Sequence, residues 1–401
     1  MRVITLLAAA TVFGAIAPIL TAPAEAQPAN APDQRPAFSG QTCAPKPERA
    51  TAVTITPVVE GLQNSWSLEF LPDGRMLTSE KAGGMRIVST EGRVGPPIAG
   101  VPRVDSRGQG GLLDLALSPT FKTDRLIYAS FSEPREGGRN GTSVARARLV
   151  EEGGGARLDD LRMIFRQEPS WTNNLHFGSR LVFAPDGKLF VTAGERSDSA
   201  TRGQAQQLGS GLGKVFRINP DGSAPPDNPF VGRAGALATI WSYGHRNVQS
   251  AALDEQGRLW TVEHGPRGGD ELNRPQAGLN YGWPEVTYGL EYSGAKVGAG
   301  LTSREGTEQP VYYWDPVIAP SGMAIYKGAA FPGWRGAILV GGLVSEGLVV
   351  LRMEGDRVAS EERIPLGARV RDVKSGPDGA VYVLTERDRG GSRILKIAPS
   401  R

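Results

Sequence analysis

The sequence predicts an all-β protein, a six-bladed β-propeller whose long loops build a site on one face. The first observation behind this is compositional. There are 53 Gly and 30 Pro in 401 residues, with few helical periods, which suits many short strands joined by tight turns. The second is an internal repeat: an apolar strand, a turn carrying Pro, Asp or Gly, usually a basic residue, then a second apolar strand. It starts at Leu68, Leu115, Leu181, Ala251, Met323 and Val373. Alternating strands joined by Asp-Gly turns are hairpins, and hairpins repeated at blade-sized spacing imply a propeller.

At the N-terminus, Arg2 precedes an apolar run to Leu20, and Ala24-Glu25-Ala26 forms a small-x-small cleavage site. These features predict a secretory signal peptide over residues 1–26, cleaved near Ala26, and so a periplasmic or secreted protein with no membrane span. Residues 27–50 are rich in Pro, Ala and Gln and read as a flexible leader. The single cysteine, Cys43, lies in it, which excludes an intramolecular disulfide framework and a Cys-based metal site. The propeller domain is then expected over residues 51–401. Thr51–Glu60 and Ser392–Ala398 both read as strands, expected to share a blade and close the ring. LGKVFRINPDGS from Leu212 reads as the outer hairpin of the third blade. A net charge of +3 without any Lys/Arg run argues against nucleic acid as a partner.

The third and fourth copies are followed by the longest intervals, and their extra residues must emerge as loops. Trp241–Gly294 is the larger excursion, with His245, His264 and glycines beside charged and aromatic residues. Long irregular stretches in compact domains are usually functional. His176 stands just before the third copy, and Glu195 leaves the same hairpin. That pairing suits a general base oriented by an acid, the alternative being a surface histidine that bonds a loop. Gln109 precedes the second copy, Arg246 and Asn247 the fourth, Arg369 and Arg371 the sixth. Placed on one face they should converge, and three arginines around one cavity call for a polyanionic ligand. No HxH or HExxH spacing supports a His-bound metal. Asp270, Glu271 and nearby loop carbonyls are candidate ligands for a hard cation.

Together with the six copies, HFGSRLVFAPDGKLF, YGHRN, EHGPRGGDE, NYGWP, Glu291-Tyr292-Ser293-Gly294 and the R-x-RD run ending at Asp372 resemble soluble pyrroloquinoline-quinone (PQQ)-dependent sugar dehydrogenases, the aldose branch of the glucose/sorbosone dehydrogenase family. The resemblance covers roughly residues 50–400. It implies oxidation of aldose sugars at the anomeric carbon to lactones, with PQQ and calcium as cofactors and an external electron acceptor. By resemblance His176 is the catalytic base, Glu195 the acid that orients it, and Arg246 a support for developing negative charge. Gln109, Arg246, Asn247, Tyr292, Arg369 and Arg371 would hold PQQ. The carbonyls of Gly265 and Pro266 would hold one calcium, Glu271 and the Tyr281 carbonyl a second, structural one. A cofactor with three carboxylates accounts for the converging arginines. Val344 stands where family members often carry a lysine on the cofactor. The connection Ser197–Gln207 is short, which implies an open sugar pocket. Two other readings exist: a propeller without cofactor acting as a binding module, and a calcium-dependent lactonase, which would need Asn, Asp and Glu ligands at the channel centre.

Overall fold

The computed structural model describes residues 28–386 and 391–400; the expected signal peptide lies outside them. Six four-stranded antiparallel sheets follow one another. Blade 1 comprises Ser65–Phe70, Met76–Glu80, Gly84–Val88 and Val94–Pro97. Blade 2 comprises Leu112–Leu117, Leu126–Pro134, Asn140–Glu152 and Gly155–Arg166. Blade 3 has Leu181–Phe183, Leu189–Ala193, Lys214–Ile218 and Ile240–Tyr243. Blade 4 has Val248–Leu253, Leu259–Glu263, Asp270–Asn273 and Tyr312–Trp314. Blade 5 has Pro320–Ile325, Ile338–Gly342, Gly347–Glu354 and Arg357–Pro365. Blade 6 takes Arg369–Ser375, Val381–Glu386 and Gly391–Pro399 from the C-terminal end, and its outer strand, Val53–Gln63, from the N-terminal end. The six repeats are therefore six blades. The expected ring closure is present, with Val53 opposite Pro399 and Ile55 opposite Ile397.

The first strand of each blade packs against the first strands of its neighbours, so these strands line the axis. Apolar side chains fill the wedges between adjacent blades. Leu77 and Met85 of blade 1 meet Leu115 and Phe131 of blade 2, and Leu339 and Leu348 of blade 5 meet Val370 and Val381 of blade 6. Each wedge removes apolar surface from water on both sheets, which is what holds a propeller without disulfides together. The Pro-Asp-Gly turns end in a left-handed residue, as at Gly187 (φ +78°), a conformation glycine adopts without a Cβ clash.

Residues 28–50, expected as a flexible leader, are instead fastened to blades 4 and 5. Asn30 and Ala31 donate backbone N–H groups to the Asp315 carboxylate, at 2.6 and 2.9 Å. Gln41 is fully buried, bonds the Pro310 carbonyl and accepts the Tyr313 N–H. Their composition is that of a linker, but their polar groups satisfy backbone groups that loops of blades 4 and 5 leave open. Cys43 is a free, exposed thiol. No described helix is long and apolar enough to cross a membrane.

At the centre of the ring a buried ion network ties the blades together. Arg180 donates to Asp114 (2.9 Å, blade 2), Asp372 (3.0 Å, blade 6) and the Gln249 carbonyl (3.1 Å, blade 4). Its guanidinium lies 4.6 Å from the Trp66 ring of blade 1. Asp114 also receives Ser67 and the Leu181 N–H, and Asp372 receives the Leu68 N–H.

Candidate active site

In five blades the first strand carries a bulge or irregularity near its start: between Ser65 and Ser67, Leu112 and Leu115, Val248 and Ser250, Pro320 and Met323, and Val370 and Asp372. A bulge leaves a residue out of the ladder and re-aims its side chain. Three of these residues come together: Arg371 donates to Gln249 Oε1 at 3.1 Å and stands 5.9 Å from the Trp66 ring. Trp66, Leu113 and Phe177 form an apolar cluster beside them. The bulges thus supply a channel lining that strand periodicity alone would have turned into the sheets.

His176 and Glu195 meet as the sequence suggests. His176 Nδ1 and Glu195 Oε1 are 2.6 Å apart, and both side chains are almost wholly buried. The His176 backbone is in the left-handed region (φ +49°), a costly conformation for a non-glycine residue. It is held by a 2.8 Å bond from its N–H to Gln109 Oε1. Gly194 has to be glycine, because a Cβ there would lie 2.3 Å from the His176 carbonyl oxygen. Burial, then the charges of Arg246 and Arg196, hold the imidazole well below its usual pKa, so it is neutral. Burial pushes Glu195 up to about 7, a rise that Arg246 partly offsets. The His176 Nε2 enters no hydrogen bond among the described residues, so a free ring nitrogen is available.

Arg246 lies across from this pair. Its Nη1 donates to the carbonyls of His264 (3.1 Å) and Gly265 (2.7 Å), and its guanidinium stands 5.2 Å from the Trp283 ring. Its Nε is buried without a hydrogen-bond partner among the described residues. Asn247 accepts the Gly178 N–H at 3.0 Å and leaves its own amide N–H groups uncommitted. Arg369 and Arg371 share one carboxylate, Glu386, at 3.3 and 2.7 Å. Gln109, His176, Glu195, Arg246 and Asn247 are thus joined through side-chain or backbone bonds, with Arg371 reaching the channel beside them. Tyr292 does not join them: it is 74 % exposed on a turn closed by Glu291 and Ala295.

The other two histidines differ in role. His245 is satisfied internally, bonding Glu263 and Ser242 and stacking on Tyr281 at a 4.8 Å centroid distance. His264 lies near Arg246, His176 and Arg371; burial first, then the charges of the two arginines, push its pKa down to about 3. Asp270 spends both oxygens on the N–H groups of Gly265, Ile318 and Ala319 and so ties loops. Glu271 lies beside Glu263, and burial plus that like charge hold it well above the carboxylate range. Asn273 donates to both carboxylates at 3.1 Å, and its own Oδ1 is buried without a partner.

Residues 62–396 match the family described as Glucose / Sorbosone dehydrogenase. The chain belongs to that family. Glucose/sorbosone dehydrogenases are oxidoreductases, and this member is 42% identical over 352 residues to aldose sugar dehydrogenase YliI of Escherichia coli (strain K12), across 86% of this chain and 93% of the relative. The crystal structure of the soluble E. coli aldose sugar dehydrogenase in the apo-form superposes with a TM-score of 0.82 at 42% identity, covering 87% of this chain and 100% of that one. The PQQ-bound form of aldose sugar dehydrogenase from Streptomyces coelicolor gives 0.72 at 30% identity, over 87% and 99% of the two chains.

Four residues of the candidate site were not singled out from sequence. Trp66 and Gln249 reach the channel only through bulges. Glu263 pairs with Glu271 across neighbouring strands. Arg196, wholly buried, donates to Leu175 O (3.0 Å), Asn140 Oδ1 (2.6 Å) and Asn173 O while stacking 4.0 Å from Phe177. Being next to Glu195 in sequence, it ties the loop that bears His176 to the hairpin that bears Glu195. The one available signal for it was its adjacency to Glu195.

Proposed function

We propose that this chain oxidises aldose sugars at the anomeric carbon to lactones, with PQQ bound in the channel. The observation that carries this reading is the pairing of a neutral, carboxylate-oriented His176 with a buried Arg246 whose Nε has no partner. His176 Nε2 takes the proton of the anomeric hydroxyl, while Glu195 holds Nδ1–H and so fixes the tautomer that leaves Nε2 free. Arg246 faces the reacting region as a cation without a carboxylate of its own, suited to an oxygen that gains negative charge. When bound, PQQ would supply the hydride acceptor.

The residues present fit such a cofactor. Arg246, Arg369 and Arg371 outnumber the single carboxylate Glu386 that pairs with two of them, and Gln109 and Asn247 keep amide N–H groups free. Trp66 and Trp283 flank the arginines. A calcium-dependent lactonase is a poorer fit, because the axial carboxylates Asp114 and Asp372 are committed to Arg180. Arg371→Ala should weaken quinone binding at least about tenfold, in line with the 1.5–3 kcal/mol typical of a hydrogen bond to a charged group. Equilibrium titration of the apoprotein checks this, and unchanged affinity would remove Arg371 from the site.

The two calcium positions fit unequally. Gly265 O already accepts Arg246 Nη1, so a cation held by Gly265 and Pro266 would compete with a guanidinium, and no step is assigned to it. Glu271, its neighbour Glu263 and the unpartnered Asn273 Oδ1 form an oxygen-rich set whose like charges a calcium ion would neutralise, with the Tyr281 carbonyl a further ligand that the family resemblance implies. Chelator should therefore lower the melting temperature, and Glu271→Gln should reproduce part of that loss. A melting curve unmoved after calcium is shown to be stripped would dismiss the site. We further propose export to the periplasm or medium, on the apolar N-terminal run ending in Ala24-Glu25-Ala26, and an external acceptor that collects the electrons.

A further inference from the structure

On the site face, the inner hairpin of each blade ends beside the channel mouth. Blade 3 ends there in Ala193 followed by Gly194 and Glu195, blade 4 in Glu263 followed by His264, blade 5 in Gly342 followed by Leu343 and Val344, and blade 6 in Glu386. Blade 1 ends in Glu80 and is followed by Lys81. Blade 6, with Arg369 and Arg371, sits between blades 5 and 1. Its two flanks are therefore Val344, apolar and 47% exposed, and Lys81.

The Lys81 ammonium is committed on one side only. It donates to the carbonyl of Gly108 at 2.9 Å, next in the chain to Gln109, which holds the backbone of His176. Lys81 is itself fixed through its backbone, receiving the Leu112 N–H and donating to Asn64 O. It forms no ion pair among the described residues. Burial and the positive charge of Arg371 lower its pKa, and Glu386 only partly offsets them. Glu386 is already shared by two arginines. A third cation beside two that share one carboxylate costs stability unless an anion completes it.

We infer that Lys81 anchors a carboxylate of the bound cofactor, on the flank of blade 6 opposite Val344. The inference rests on the quinone reading above. The alternative is that Lys81 simply ties the Gly108 turn to blade 1, which one hydrogen bond to a carbonyl would accomplish.

The test is to titrate the full apoprotein with pyrroloquinoline quinone at saturating calcium, following quenching of tryptophan fluorescence. The parent, Lys81→Met and Lys81→Arg are compared, with melting curves recorded before quinone is added. Lys81→Met should bind at least about tenfold more weakly, while Lys81→Arg stays close to the parent and neither melting temperature falls. Equal affinity for Lys81→Met would overturn the inference. So would a lowered melting temperature in both variants with weakened binding in both, which is the signature of a turn tie. A parent that binds no quinone would sink the cofactor reading itself, an outcome distinguishable from a parent that binds and a Lys81→Met variant that binds as well.

Discussion

Replacing His176 with Gln should leave folding and quinone affinity near those of the parent and cut aldose turnover ~100-fold or more, the usual range for losing a general base. A sugar hydroxyl is a very weak acid, so its carbon gives up hydride readily only as the proton departs. The neutral imidazole offers an Nε2 that enters no hydrogen bond among the described residues, while Glu195 holds its Nδ1. Glutamine keeps polarity and approximate size but cannot take the proton. The pH profile follows from Glu195. With its pKa near 7, the carboxylate is ionised above neutrality, accepts Nδ1–H and leaves Nε2 free. Below that it is protonated, donates to Nδ1 and places the ring hydrogen on Nε2, the wrong tautomer. Turnover should therefore rise with pH through about 7, and Glu195→Gln should flatten the rise with a smaller loss of rate than His176→Gln. Steady-state rates of the reconstituted variants between pH 5 and 9 measure both. A His176→Gln protein turning over at the parental rate would contradict the assignment.

Arg180→Met should destabilise the fold by roughly 3–5 kcal/mol, the cost of breaking a buried ion pair from one side. Asp114 and Asp372 would remain buried at the axis with their shared cation gone, and desolvation already pushes Asp114 upward. Met conserves bulk against Trp66 but supplies no charge. Arg157, paired with Glu152 and Asp159 on the surface, is the control: screened by water, its loss should leave the unfolding midpoint in place. Denaturant unfolding of the two variants decides it. A midpoint for Arg180→Met equal to that of Arg157→Met would show that the axial network contributes nothing net.

What could be read from the sequence was whatever is local. A hairpin such as Leu181 to Ala193 carries its own alternation and turn, so six hairpins gave six blades, and the apolar ends gave the closure of Val53–Gln63 on Gly391–Pro399. The His176–Glu195 pair was legible because one hairpin brings both residues to the same end. The residues that escaped depend on pairing between segments. Trp66 and Gln249 read as ordinary strand positions until a bulge turns them inward. Glu263 is one apolar-strand terminus among several until its register opposite Glu271 is known. The 28–50 stretch has the composition of a linker, and only partners far along the chain, Asp315, Pro310 and Tyr313, hold it down. Tyr292 was placed through its Glu-Tyr-Ser-Gly segment, yet the turn that carries it presents the ring to water.

The most direct test mixes the apoprotein with pyrroloquinoline quinone and calcium, then adds glucose under anaerobic conditions without an acceptor while the cofactor absorbance is recorded. A sugar dehydrogenase of the kind proposed gives a bound-quinone spectrum that glucose converts to the reduced form in a single turnover, with one equivalent of lactone released. A protein that binds the quinone yet leaves its spectrum unchanged with glucose and every other aldose offered would contradict the account.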